Sequence, residues 1–219
     1  MIMDKDEFLN KHWFMYHKLE AEFLKIEKTI PIVIENFETF SYSYMRLLGS
    51  ICSEFNECFK NFTEFNGYDY KSINQYKQFI KDNFQDFFDS EITFNKIGSE
   101  SMSLHPFKDW KDGEIFWREI NNNIKHNRSE LCDGKENYKY ANQINVLKAL
   151  SGLFQLNMYF YKNIIQNLNS DDEFTFPLPQ SKIFYLENWD NYKQYLISYN
   201  VAFSLGEDGN IYIGSEHIG

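Results

Sequence analysis

The sequence predicts a mainly α protein, a helical bundle with a small β-containing appendage at its C-terminal end. Long stretches lack Pro and Gly and carry apolar residues at steps of three and four, which is the period of an amphipathic helix. One segment, from about Tyr138 to Leu168, is apolar around most of its circumference and must sit centrally. After Asp171 the texture changes to short β-like runs broken by turn residues. With 219 residues the chain can bury a sizeable core, and the expected division is a bundle over 1–170 and an appendage over 171–219.

The elements follow in order. Phe8, His12, Met15, Leu19, Phe23 and Ile26 define a first helix over about Lys5–Lys28, and Pro31 ends it or opens the next. A second long helix is expected from Ile32 to about Phe65 through Phe37, Phe40, Tyr44, Leu47, Ile51, Phe55 and Phe59, stopping at Asn66-Gly67. Ser72 caps a shorter helix that carries Ile73, Tyr76, Phe79, Ile80, Phe84 and Phe87. Residues Glu91–Ile97 alternate and predict a short strand, and Ser99–Gly113 a loop anchored by Leu104, Phe107 and Trp110. A basic helix follows from Phe116, then a loop over Leu131–Asn137. The central helix places Tyr140, Ile144, Leu147, Ser151, Phe154, Met158, Tyr161 and Ile165 in a heptad rhythm, and Ala149, Ser151 and Gly152 leave room for another backbone to approach. In the appendage Ile183–Leu186, Ala202–Leu205 and Ile211–Ile213 predict strands, the last two joined as a hairpin on Asp208-Gly209, with a short helix over Asn188–Tyr199.

Composition narrows the function classes. A net charge of −10 opposes sequence-independent attraction to nucleic acid, although a local basic cluster can still hold one phosphate. With 22 Phe and 15 Tyr, the aromatic stripes are expected to be core packing before they are stacking platforms. Cys52, Cys58 and Cys132 lack the spacing of a disulfide framework or a zinc site. His12 and His17 miss the i, i+4 spacing of a metal pair, so no metal and no cofactor is expected. The opening MIMDKDEFLN is acidic without an apolar run, and no stretch approaches a membrane span, so a cytoplasmic protein without membrane attachment is expected. Phosphate-binding glycine loops, the GxSxG elbow and HExxH are absent from the sequence.

The stretch FWREINNNIKHNRSE stands out because Arg118, Lys125, His126 and Arg128 gather in an acidic chain. At 3.6 residues per turn Arg118, Asn122, Lys125 and His126 share one face, with Trp117, Ile120 and Ile124 on the other. The basic side suits chemistry at a phosphate. His126 could move a proton, Arg118 or Lys125 could hold negative charge, and Asn122 could orient a partner. Basic residues near a helix C-terminus also favourably oppose the macrodipole, so an ordinary solvated face stands beside the site as an alternative.

The segment NNNIKH, Asn121 to His126, resembles the motif of the HEPN superfamily, whose common form is Arg-Asn-x-Ile-x-His. Asn122, Ile124 and His126 fall on its Asn, Ile and His, while Asn121 stands where the Arg is usual, leaving Arg118 or Arg128 to supply the charge. FWREINNNIKHNR followed by YANQINVLKALSGLFQLNMYFY is similar to a group of bacterial HEPN-like proteins, over about Leu104 to Tyr161. The resemblance implies a homodimer of helical bundles with paired motifs along a cleft. It implies a metal-independent endoribonuclease of toxin–antitoxin or defence type, attacking with the ribose 2′-OH, with His126, Arg118 and Asn122 as catalytic candidates. Lys125, Arg128 and Asn121 are then candidates for binding RNA or a nucleotide. Members that have lost the motif serve as binding domains, so a non-catalytic interaction module with a partner protein or antitoxin is the alternative.

Overall fold

The computed structural model describes residues 3–94, 102–168 and 176–186, and the backbone of residues 202–205 and 211–214. The first helical run comprises α1 (Lys5–Phe8), a π-helical turn (Leu9–Trp13) and α2 (Phe14–Glu27). Asp4 caps its start, its carboxylate accepting from the Glu7 backbone N–H. The next helix, α3 (Tyr42–Phe65), begins ten residues later than the periodicity from Ile32 predicts. Ser41 ends the ambiguity, because its hydroxyl accepts from Tyr44 N–H at 3.0 Å. The chain before it is spent on a short 3₁₀ turn (Ile34–Asn36) and on carbonyls of Phe37 and Thr39 that accept from Ile144 and Gln143.

Ser72 caps α4 (Ile73–Asn83) as the sequence predicts, in a capping box completed by Gln75. The helix stops at Phe84, whose φ of −139° is not helical, and Phe87 belongs to a separate 3₁₀ turn. Strand β1 (Ile92–Phe94) lies within the expected strand, and β2 (Met102–Leu104) replaces part of the expected loop. Helix α5 (Phe116–Asn127) is where the basic stretch predicts it.

The expected loop over Leu131–Asn137 contains a hairpin of β3 (Leu131–Cys132) and β4 (Lys135–Glu136). Asp133-Gly134 forms its turn, both residues having positive φ, 50° and 75°. The central helix, α6 (Gln143–Leu168), starts later than Tyr138 because Asn142 Oδ1 accepts from Asn145 N–H and fixes the first turn there.

Helix α6 is the axis of a mainly α bundle, buried almost continuously from Gln143 to Tyr161 and packed against α1, α2, α3 and α5. Its packing is aromatic, as the composition predicts: Phe160 stacks on Phe62, and Phe154 lies between Trp13, Tyr16 and Phe184. Strand β5 (Phe184–Leu186) joins β1 on the edge opposite β2, giving an antiparallel sheet of order β2-β1-β5. The late chain thus closes onto the bundle. Strands β6 (Ala202–Leu205) and β7 (Ile211–Gly214) pair antiparallel as expected, with Leu205 opposite Ile211. The helix expected over Asn188–Tyr199 and the turn at Asp208-Gly209 lie outside the described residues.

Gly152 explains how α5 reaches α6. A Cβ at that position would meet the Trp117 ring at 2.9 Å and Phe107 at 3.3 Å, so the small residue admits an indole. Trp117 is 2 % exposed and cannot retreat into solvent. Gly152→Ala is expected to lower stability by about 1–3 kcal/mol through overpacking, read as a lower denaturant midpoint with unchanged slope.

Candidate functional site

Helix α5 is held by its apolar side. Trp117 and Ile120 are buried, Trp117 Nε1 donates to the Pro106 carbonyl, and its ring packs edge-on against Phe55 of α3. Anchoring that face fixes the rotation of the helix, which turns Asn121, Asn122 and Lys125 toward α3. Between the two helices runs a groove of about 710 Å³. Its α3 wall carries Gly49, Ser53, Asn56, Glu57 and Lys60, and Tyr70, Lys71 and Tyr76 close one side. At one point of the groove a Cβ on Gly49 would stand 3.7 Å from Asn121 Oδ1.

The six sequence candidates are divided by this geometry. Asn121, Asn122 and Lys125 line the groove. Arg118 is half-buried one turn earlier, and its charge acts on the groove residues Cys52 and Tyr76. Its Nε is buried without a hydrogen-bond partner. His126 and Arg128 are exposed and do not line the groove. His126 therefore lies on the exposed flank of the helix, away from the groove lining. Asn121 is half-buried, its side chain lining the groove near Gly49 of α3.

The cations of the groove are not equivalent. Lys71 pairs with Asp69 at 3.2 Å and Lys60 approaches Glu64 at 4.0 Å. Among the described residues Arg118, Lys125 and Arg128 make no ion pair. Unneutralised positive charge therefore collects on the α5 side. Cys52 lies within its reach, but burial outweighs Arg118 and Lys125 and pushes the thiol up to about 12, so it is not a nucleophile.

Two groove residues escape sequence inspection. Glu54, with its side chain 13 % exposed, receives a hydrogen bond from buried His12 Nδ1 at 2.8 Å. His12 Nε2 accepts from Asn61 Nδ2 at 3.1 Å, and that same amide donates to Glu57 Oε1 at 3.2 Å. Because the amide nitrogen only donates, the imidazole proton is assigned to Nδ1, facing Glu54. One oxygen of each carboxylate is thus tied inward and oriented by the core. His12 occupies the π-helical turn, a distortion that often accompanies functional positions. The available signal is the polar stripe Gly49, Ser53, Asn56, Glu57 and Lys60 on an otherwise apolar helix.

A second concavity of about 290 Å³ lies between Trp13, Phe154, Met158 and the segment 176–185. That segment is fastened by Glu20, which is 1 % exposed and accepts from Tyr16, Ser181 and the Lys182 N–H. Trp13 and His17 both donate to the Pro179 carbonyl. These contacts explain the attachment of β5 and do not involve the groove.

Among the described residues no group of three or more His, Cys, Asp or Glu side chains could hold a metal ion, and no helix is long and apolar enough to cross a membrane. No family model matches the chain, and neither the curated proteins nor the solved structures contain a match.

Proposed function

We propose that this chain is a HEPN-like protein that binds the phosphate of RNA or of a nucleotide on the α5 side of the groove. The observation that carries this is a half-buried guanidinium, Arg118, whose Nε has no partner, two turns before Lys125 on the same helix and beside a groove lined by Asn121 and Asn122. The positive charge of Arg118 beside the groove attracts an anion, and Lys125 in the groove lining can give it a charge-assisted hydrogen bond.

Asn121 and Asn122 add neutral donors and acceptors that orient a ligand without repelling it. The proposal is for binding and not for cleavage, because His126 does not line the groove with Lys125. A homodimer accompanies it. Phe116 is 51 % exposed and Leu131 70 % exposed, so apolar residues bracket the exposed flank of α5 that a second copy would cover.

The test is a titration of the full chain with a short unstructured oligoribonucleotide at several salt concentrations. Lys125→Ala is expected to weaken binding and reduce the salt slope by about one, as loss of a single phosphate contact does. The unliganded chain is expected to sediment as a dimer at micromolar concentration. Absence of binding, or binding indifferent to Lys125→Ala, counts against the proposal, and a monomer counts against the dimer.

A further inference from the structure

The groove carries both signs of charge, and this restricts what it can hold. A continuous run of phosphates would meet Glu54 and Glu57 on the α3 wall and be repelled there. A ligand that is anionic at one end and rich in hydrogen-bond donors at the other meets favourable partners along both walls. Resting on the phosphate-binding proposal above, we infer that the groove takes one unpaired guanosine phosphate, its phosphate toward Lys125 and Arg118 and its base toward Glu54 and Glu57.

Each carboxylate has one oxygen engaged from within the fold, Glu54 by His12 and Glu57 by Asn61. Their remaining oxygens are acceptors only, one helical turn apart along α3. The guanine edge offers N1–H and the 2-amino group as adjacent donors. Adenine and cytosine place an acceptor nitrogen beside their single amino group, and uracil flanks one N–H with two carbonyls. A wall of fixed acceptors therefore favours guanine and disfavours uracil most, since mismatched acceptors lose their hydration without replacement.

An aromatic face is also present. Tyr70 lines the groove and stacks on Tyr68 with ring centroids 5.0 Å apart, while Tyr68 is 41 % exposed. This tyrosine pair sits at the edge of the core, with Tyr68 against Phe79, and is a platform on which an unstacked base can rest. The same chemistry can come from free GMP or from a lone G in single-stranded RNA.

The experiment is calorimetric titration of the full chain with GMP, UMP and inorganic phosphate, and with a U-rich pentaribonucleotide containing or lacking a central G. GMP is expected to bind about tenfold or more tighter than UMP. Glu57→Gln keeps an oxygen for Asn61 and is expected to fold. It should reduce that preference to about threefold or less while phosphate binding persists, and Tyr70→Leu should weaken both nucleotides together.

A preference seen with GMP identifies the free nucleotide as sufficient, and one seen only in the pentamers identifies RNA as the source. Equal, Lys125-dependent binding of GMP and UMP, with no preference in the pentamers, overturns the guanine assignment and leaves phosphate binding standing. No binding of any probe overturns both.

Discussion

Arg118→Ala is expected to weaken binding of a short oligoribonucleotide by roughly ten- to a hundredfold, with little change in thermal stability. The size follows from a charge-assisted hydrogen bond, about 1.5–3 kcal/mol. The small stability effect follows from Nε making no hydrogen bond within the fold and from the absence of an ion pair to Arg118 among the described residues. Arg118→Lys is expected to recover only part of the affinity, because an ammonium keeps the charge but not the planar fork of donors. Equal affinity of Arg118→Ala and the unaltered chain would show that the phosphate lies elsewhere.

The second large effect concerns stability. Glu20→Ala is expected to destabilise the protein by about 3 kcal/mol, because it leaves the Tyr16 and Ser181 hydroxyls and the Lys182 N–H facing a buried gap. Its pH dependence has a definite sign. Burial acts to raise the Glu20 carboxyl, but hydrogen bonds from His17, Ser181 and Tyr16, with the attraction of His17, outweigh it and hold it below the usual carboxylate range.

A carboxyl depressed in the folded state contributes stability that is fully present above its unfolded value, about 4.3, and lost as pH falls through the folded value. The stability difference between the unaltered chain and Glu20→Gln should therefore shrink as pH is lowered from 6 through 4 and below. Chemical denaturation at each pH measures it, and a gap that widens toward acid would contradict the assignment. Amide exchange in residues 182–186 should rise in the same acidic range, because Glu20 holds that segment onto α2.

Helical periodicity made the bundle legible where one face had to be buried. Residues 138–168 announce a central helix because almost no polar stripe interrupts them, while the space at Gly152, expected to admit a backbone, is taken by the Trp117 ring. The starts of α3 and α6 were not legible from periodicity alone. Apolar spacing continues through Phe37 and Phe40, and only the hydrogen bonds of Ser41 and Asn142 decide which residues are helical. Sheet partnership was hidden for a different reason. Nothing local in Phe184–Leu186 says that Ile92–Phe94 is its partner, since pairing across that separation is decided by the closed bundle.

The candidate site was legible by half. The 3.6-residue repeat of α5 places Asn122 and Lys125 together in the groove and Arg118 one turn before Asn122, because burial of Trp117 and Ile120 sets the rotation of the helix. It also includes His126, which the same rotation leaves on the solvent flank, since one helix cannot tell which part of its polar face another helix will border. Glu54 and its buried partner His12 come from different helices, joined only by packing. A lone histidine on an apolar face is most simply a packed one, and His12 is packed. Its consequence lies in the carboxylate it orients.

Hydrogen exchange of the full chain, with and without a saturating short oligoribonucleotide, tests the central claim most directly. Binding in the groove between α3 and α5 should slow exchange in residues 49–60 and 116–127 and leave residues 176–186 unchanged. Protection confined to 176–186, or no protection in α5 at saturation, would contradict it.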